Sequence, residues 1–432
     1  MRLYGRVFEV RRRRAGASRY RSLEGRRSSH DPSRGRGLRA GSERAVTGFA
    51  SRLAAFTTSP AGGADAVSRG DGPGHVESPE PQDGVMSGEA GSERSWVAPR
   101  PPVNGRWAHW DVACGTGAAA PTPAGVEVRT CASFGPLPPA AALEPLVDGP
   151  VHRAIYLDLE TTGLDVPGAM PFVVGCLERA EGLAEATTFV LWDPSDEAAM
   201  LEAVVAYLAA RAGRGALLVT FNGLRFDVPL LRGRCRRLGV AEPPEMDHLD
   251  VLPHARRLLR YDVPRRNLSA LERHLLGHRR SGDLAGARVP AAHAAYLEAP
   301  GPETRHGVER VVAHNLSDLV GLARVGAEVA RIEEAPVTLG QAVGVARRAL
   351  RRGHAHRALG ALAPRFFAEA DRAARLRPEL AADAAFVLVR AYLATGRGKD
   401  VVEARRIAAW ARRHVPFDPR PARLAERAGR SL

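Results

Sequence analysis

The chain has 432 residues, 45% of them hydrophobic, enough to bury two or three cores. No run approaches the roughly 18 uncharged apolar residues of a membrane helix, and no apolar stretch follows the opening arginines, so neither a membrane span nor a secretory leader is expected. The net charge of +14 points toward a polyanion, but residues 1–50 hold 14 arginines against four acids and so carry ten of those charges.

Lys399 is the single lysine and alanine is abundant, a bias that GC-rich coding explains as well as a binding surface does. The four cysteines, Cys114, Cys131, Cys176 and Cys235, contain no CxxC pair. That argues against a zinc ribbon or a disulfide framework and suits a reducing, cytoplasmic setting.

Residues 1–145 show no sustained period of 2 or 3.6 and are dense in Arg, Gly, Ser and Pro, so a disordered extension is expected there. A basic tail of this kind adds nonspecific phosphate affinity; the plainer reading is an extension without function, with a start at Met86 or later. From residue 150 the texture changes. "AIYLDLE", "PFVVGCLE", "TTFVLW" and "ALLVTFNG" are short, β-branched-rich runs and read as strands. Between the third and fourth lies a helix, with Ser195 as its expected N-cap and Gly213 as its stop. Further helices are expected at "VPLLRGRCRRLG", "DVLPHARRLLR", "LSALERHLLG" and the long "GVERVVAHNLSDLVGLARVGAEVARIEE". Three strands, a helix and a fourth strand describe an α/β domain over 150–332. Residues 337–430 read as purely helical, with the small–large spacing and terminal Pro of a tetratricopeptide-type hairpin in "AAFVLVRAYLATGRGKDVVEARRIAAWARRHVPFDP". One or two such units do not stand alone, so this block is expected to pack on the α/β domain or on a protein partner.

Three motifs carry chemistry. Asp158 and Glu160 alternate on the first strand, so both project from one face, about 6–7 Å apart, and repel unless a cation lies between them. The plain alternative is an edge strand with its polar side in water. Thr161, Thr162 and Gly163 follow, and Gly163 permits a tight turn close to a ligand. After the fourth strand, Asn222 and Asp227 flank a turn containing Gly223 and Phe226; alone, this reads as an Asx-turn and a helix N-cap. His314 and Asp318 are four residues apart on the long helix and share a face.

Together, in this order, the motifs resemble the DEDD exonucleases of the ribonuclease H-like fold, and more specifically the YprB-like family, which "HLDVLPHARRLL", "NLSALERHLLG" and "GDLAGARVPAAHAAYL" also suggest. The resemblance covers about 150–330. It implies a mixed sheet flanked by helices and a 3′–5′ exonuclease acting on DNA or RNA, most simply at a single-stranded end. It further implies that Asp158, Glu160, Asp227 and Asp318 hold two divalent ions, Mg²⁺ or Mn²⁺, as hard oxygen donors suit. His314 would orient or deprotonate the attacking water. Thr161, Thr162, Gly163, Asn222 and Phe226 would contact substrate. In these enzymes a catalytic His sits five residues before the last Asp and a Tyr four before it. His314 takes the tyrosine spacing, which turns a helical side chain by about 100°.

The rival readings are a structure-specific endonuclease on the same acids, and a nucleic-acid-binding scaffold whose helical repeats recruit a protein. His248 and Asp250 read as a turn before the next helix, with an auxiliary contact as the alternative. His293, Arg279 and Arg280 read as solvated surface, with phosphate contacts as the alternative.

Overall fold

The apolar runs assemble into one six-stranded sheet of order β1-β4-β3-β2-β5-β6. The structure is a computed structural model describing residues 125–132, 136–163, 168–180, 183–280, 284 and 286–430. All of these fall within the unit Gly91–Leu432. The basic segment before residue 125, with its expected phosphate affinity, lies outside the described residues.

Strands β2 (Ala154–Thr161), β3 (Pro171–Ala180) and β4 (Leu183–Leu191) form an antiparallel meander, as their spacing predicts. β5 (Leu217–Thr220) then pairs parallel with β2, after the crossover helix α1 (Glu197–Ala212). Seven of the eight residues of β2 are buried, which is why it reads as a continuous apolar run rather than an alternating one. The N-terminal signal before α1 differs in detail. Asp193 caps a short 3₁₀ turn at Pro194–Asp196 by accepting from the Ser195 amide, and Ser195 caps nothing.

Two strands depart from the sequence reading. Val126–Ala132 is β1, paired antiparallel with β4, so the expected disorder of residues 1–145 fails at its C-terminal end. Its alternation is short and follows a Gly- and Pro-rich stretch. What secures it is tertiary: Arg129 pairs with Glu127 and with Glu309 far along the chain, and Trp192 donates to Glu127. A 3₁₀ helix over Ala140–Leu146 follows, burying Leu143 and Leu146. "HLD" is strand β6 (His248–Asp250), parallel to β5, and not the expected turn. Three residues are too few to show a period.

Of the cysteines, Cys176 and Cys235 are free and buried.

Helices α2 (Asp227–Leu238), α3 (Val251–Leu258), α4 (Leu268–Leu271), α5 (Val289–Glu298) and α6 (Pro302–Glu334) complete the α/β part. α6 runs 33 residues, about 50 Å, and lays its buried face against β2 and β3. Beyond it α7 (Leu339–Arg351), α8 (Ala355–Leu376), α9 (Pro378–Leu393), α10 (Gly398–His414) and α11 (Arg420–Arg430) pack in successive pairs. This helical block sits on the α/β part. Arg257 of α3 donates to the Gly344 carbonyl at 3.0 Å, and buried Glu333 of α6 pairs with Arg257 (2.7 Å) and, across the junction, with Arg348 (3.2 Å). Among the described residues no helix is long and apolar enough to cross a membrane.

Candidate active site

β2 delivers the first two acids. Asp158 lies opposite Gly175 of β3 and Glu160 opposite Val173, and a register shift between Glu160 and Thr161 ends regular pairing. Beyond it Thr161 Oγ1 donates to the Gly163 carbonyl at 2.6 Å, and Thr162 is tied both ways to Met170. The turn after β2 is therefore braced, with Thr162 exposed to solvent.

Asp227 arrives from the β5–α2 loop. It opens α2, is buried, and its carboxylate accepts the amide of Leu159, the residue between Asp158 and Glu160. The loop before it is shaped from β6. Asn222 holds a left-handed φ of 74°, and its amide donates to Asp250 Oδ1 at 2.8 Å. Asp250 also accepts the amide of Leu252, capping α3, while His248 Nε2 meets Thr220 Oγ1 at 2.8 Å. Asn222 and Phe226 are half-buried beside this loop. Asp250 is thus the residue that sets the loop's shape, a role the sequence reading passed over.

Asp318 comes from α6, with His314 one turn before it; His314 Nε2 stands 4.0 Å from Asp318 Oδ2. Between them Asn315 is fully buried, and its amide donates to Asp158 Oδ2 at 2.9 Å and to the Asp158 carbonyl at 3.1 Å. Gly175 makes room for it: a Cβ there would lie 1.8 Å from Asn315 Oδ1. Asn315 was visible only as the neighbour of His314. The usable signal was a glycine inside a β-branched strand, which marks close approach.

The electrostatics bind these groups into one cluster. The Asp158 carboxyl is raised well above its ordinary range, first by burial and then by the negative charges of Asp318, Glu160 and Asp227, with Arg280 acting in the opposite direction. Asp227 is pushed up to about 7, again chiefly by burial, with the charge of Asp250 adding to it. So Asp158 feels the charges of the other three expected acids at one end of the sheet; Asn315 joins them unannounced, and Asp250 and Arg280 take places beside them other than the turn and the solvated surface expected of them.

Arg280 corrects the expectation of solvated surface. Its side chain is largely buried and grips Glu272 through Nε (2.8 Å) and Nη2 (2.6 Å), while Nη1 donates to Asp318. His293 is corrected too: it is buried and stacks on Phe172 with ring centroids 4.1 Å apart. Arg279 is exposed, as expected, and with Arg273, His278, Arg280, His314 and Asp318 it lines an open cleft of about 600 Å³.

Among the described residues no three His, Cys, Asp or Glu side chains are gathered closely enough to enclose an ion as they stand. The donor chemistry nevertheless fits a hard divalent cation. Asp158 feels the negative charges of Asp318, Glu160 and Asp227, and the set includes no thiolate.

Residues 155–330 match the class of protein described as RNase_H superfamily. Within that class the likeness is to YprB of Bacillus subtilis (strain 168), 29% identical over 174 residues. Those residues are 40% of this chain and 40% of that protein, so the match spans well under half of the relative. Among solved structures, one described as the apo form of a nuclease is similar at 19% identity and a TM-score of 0.28, over 54% of this chain and 82% of that one. E. coli exonuclease I with a dA16 oligonucleotide is similar at 16% identity and a TM-score of 0.23, over 39% and 44% of the two chains. No chemistry is carried over from likenesses of this size.

Proposed function

We propose that the chain is a divalent-metal-dependent nuclease acting on DNA or RNA, and that its mode is 3′–5′ exonucleolytic. The observation that carries this reading is the convergence of Asp158, Glu160, Asp227 and Asp318 on the end of β2 in a ribonuclease H-like sheet. Four like charges in a partly buried site raise the energy of the empty cluster, and a fold keeps such a cluster where a cation is the intended partner.

Asp158, Glu160, Asp227 and Asp318 are the residues we assign to two divalent ions, Mg²⁺ or Mn²⁺. Such ions, when bound, supply Lewis-acid stabilisation of the phosphoryl oxygens. The chain's own groups do the rest. Asn315 fixes the Asp158 carboxylate, and the Leu159 amide fixes that of Asp227. His314 faces the cleft beside Asp318 and is assigned to orient the attacking water or take its proton. Thr161, Thr162, Gly163, Asn222 and Phe226 rim the same end of the sheet and are assigned to substrate. We assign the domain limits to 150–332 and 337–430, and read the helical block as tetratricopeptide-like, with a surface open to a protein partner. The junction Ala335–Thr338 between α6 and α7 supports that division.

The test is a matched panel of 5′- and 3′-labelled DNA and RNA with Mg²⁺, Mn²⁺ or chelator, using wild type and Asp158→Asn. Mononucleotide release from 3′ ends that chelator and Asp158→Asn both abolish is the expected result. Internal fragments would replace the exonuclease by an endonuclease. Tight binding without cleavage under any metal would favour the scaffold.

A further inference from the structure

Asp318 is met by a cation that the protein itself supplies. Arg280 lies past the α4 end, where α4 runs into a π turn at Glu272–Leu276, a local widening that proteins use at functional sites. The turn aims Glu272 at α6, where Gly321 admits it: a Cβ at Gly321 would lie 1.8 Å from Glu272 Oε1. Glu272 is fully buried and takes the Arg280 guanidinium on two nitrogens.

The two ends of Arg280 are unequally held. Its fork on Glu272 is a bidentate pair around a fully buried carboxylate and is costly to break. Its bond to Asp318 goes to a carboxylate that is 22% exposed, at the edge of the open cleft. Between Glu272 and Asp318, Asp318 is the one Arg280 releases at less cost. The same cleft carries Arg273, Arg279 and His278, with Asn267 and Ser269, the charge and polarity a phosphate backbone asks for.

We propose that Arg280 is a phosphate ligand held in reserve. Without a divalent ion it neutralises Asp318. When an ion claims that carboxylate, Nη1 turns to a nonbridging oxygen of the bound nucleic acid, and Glu272 keeps the rest of the guanidinium in place. Metal and nucleic acid binding are thereby coupled through one side chain. This rests on the reading of the four acids as a divalent-ion site.

The experiment uses the full chain and needs no turnover. Mn²⁺ affinity is measured by titration calorimetry, and binding of a labelled single-stranded oligonucleotide is measured in Ca²⁺ over a range of salt. Wild type is compared with Arg280→Gln/Glu272→Gln, which removes both charges together, and with Arg280→Gln alone as the second variant should the first not fold. The proposal expects Mn²⁺ to bind several-fold more tightly, because its internal competitor is gone. It expects the oligonucleotide to bind several-fold more weakly, with the slope of log affinity against log salt smaller by about 0.7. Folded variants with unchanged or weaker Mn²⁺ binding, or with unchanged oligonucleotide binding, would overturn it. If wild type binds Mn²⁺ and oligonucleotide and the variants match it, only this inference falls. If wild type binds no divalent ion, the reading of the acids falls as well.

Discussion

Asp227 gives the site a readable pH signature. Its carboxyl is pushed up to about 7 from an ordinary 3.8, chiefly by burial. A carboxyl raised in the folded state stabilises the fold while protonated. That contribution is whole below the unfolded value of about 3.8 and is lost as pH rises through about 7. Asp158 is shifted in the same direction. In chelator, the melting temperature of wild type should therefore fall between about pH 4 and pH 7, and Asp227→Asn should flatten that fall. Equal slopes would show that Asp227 titrates normally. Asn315 supports a second prediction. Its hydrogen bond to the Asp158 carboxyl is worth about 1 kcal/mol while that group is protonated and about 1.5–3 kcal/mol once it is ionised. Asn315→Ala should lower turnover on the order of 10- to 100-fold, and Gly175→Ala, which pushes the same amide away, should do alike. In a double-mutant cycle the pair should cost no more than the worse single change, whereas additive losses would separate the two residues. The four acids were legible because strand alternation and helical spacing place side chains by counting. Asn315 and the Glu272 that holds Arg280 were not, because each enters a void left by a glycine on another element, and no count along the chain reveals that.

At the scale of elements, the meander, β5 and the long helix follow from local pattern, whereas β1 and β6 exist because of their neighbours. β1 is an edge strand whose charged residues, Glu127 and Arg129, are answered by Arg305 and Glu309 on α6. Read alone, those charges belong to a loop. The consequence is a sharp truncation boundary. Removing residues 1–124 should leave folding and metal-dependent activity intact. Removing residues 1–140 deletes β1, bares the hydrogen-bonding edge of β4 and takes Arg129 away from Glu309, which keeps only Arg305 on its own helix among the described partners. That shorter chain should melt lower and scatter light on warming, and two truncations of equal stability would show β1 to be dispensable. β6 carries a similar lesson: Asp250 is structural, holding Asn222 in its left-handed conformation while capping α3.

At the scale of the molecule, ligand binding and folding should be linked. An ion binding the folded acids at 100 times its dissociation constant adds about 2.7 kcal/mol of stability. Mn²⁺ should raise the melting temperature of wild type and not that of Asp158→Asn, as scanning fluorimetry would show; an equal rise in both would place the ion elsewhere. The packing of the helical block has a consequence of another kind. Two buried carboxylates, Glu333 and Asp383, each collect several arginines from both sides of the junction: Arg257, Arg348 and Arg357 on the first, Arg260, Arg347 and Arg420 on the second. The hydration that such charges surrender becomes less favourable on heating, so ion-pair networks of this kind lose less of their hold with temperature than isolated apolar contacts do. Neither half can then shed the other and melt first. Residues 125–430 should give a single endotherm with matching calorimetric and van't Hoff enthalpies, as one cooperative body, although the chain reads as two architectures laid end to end.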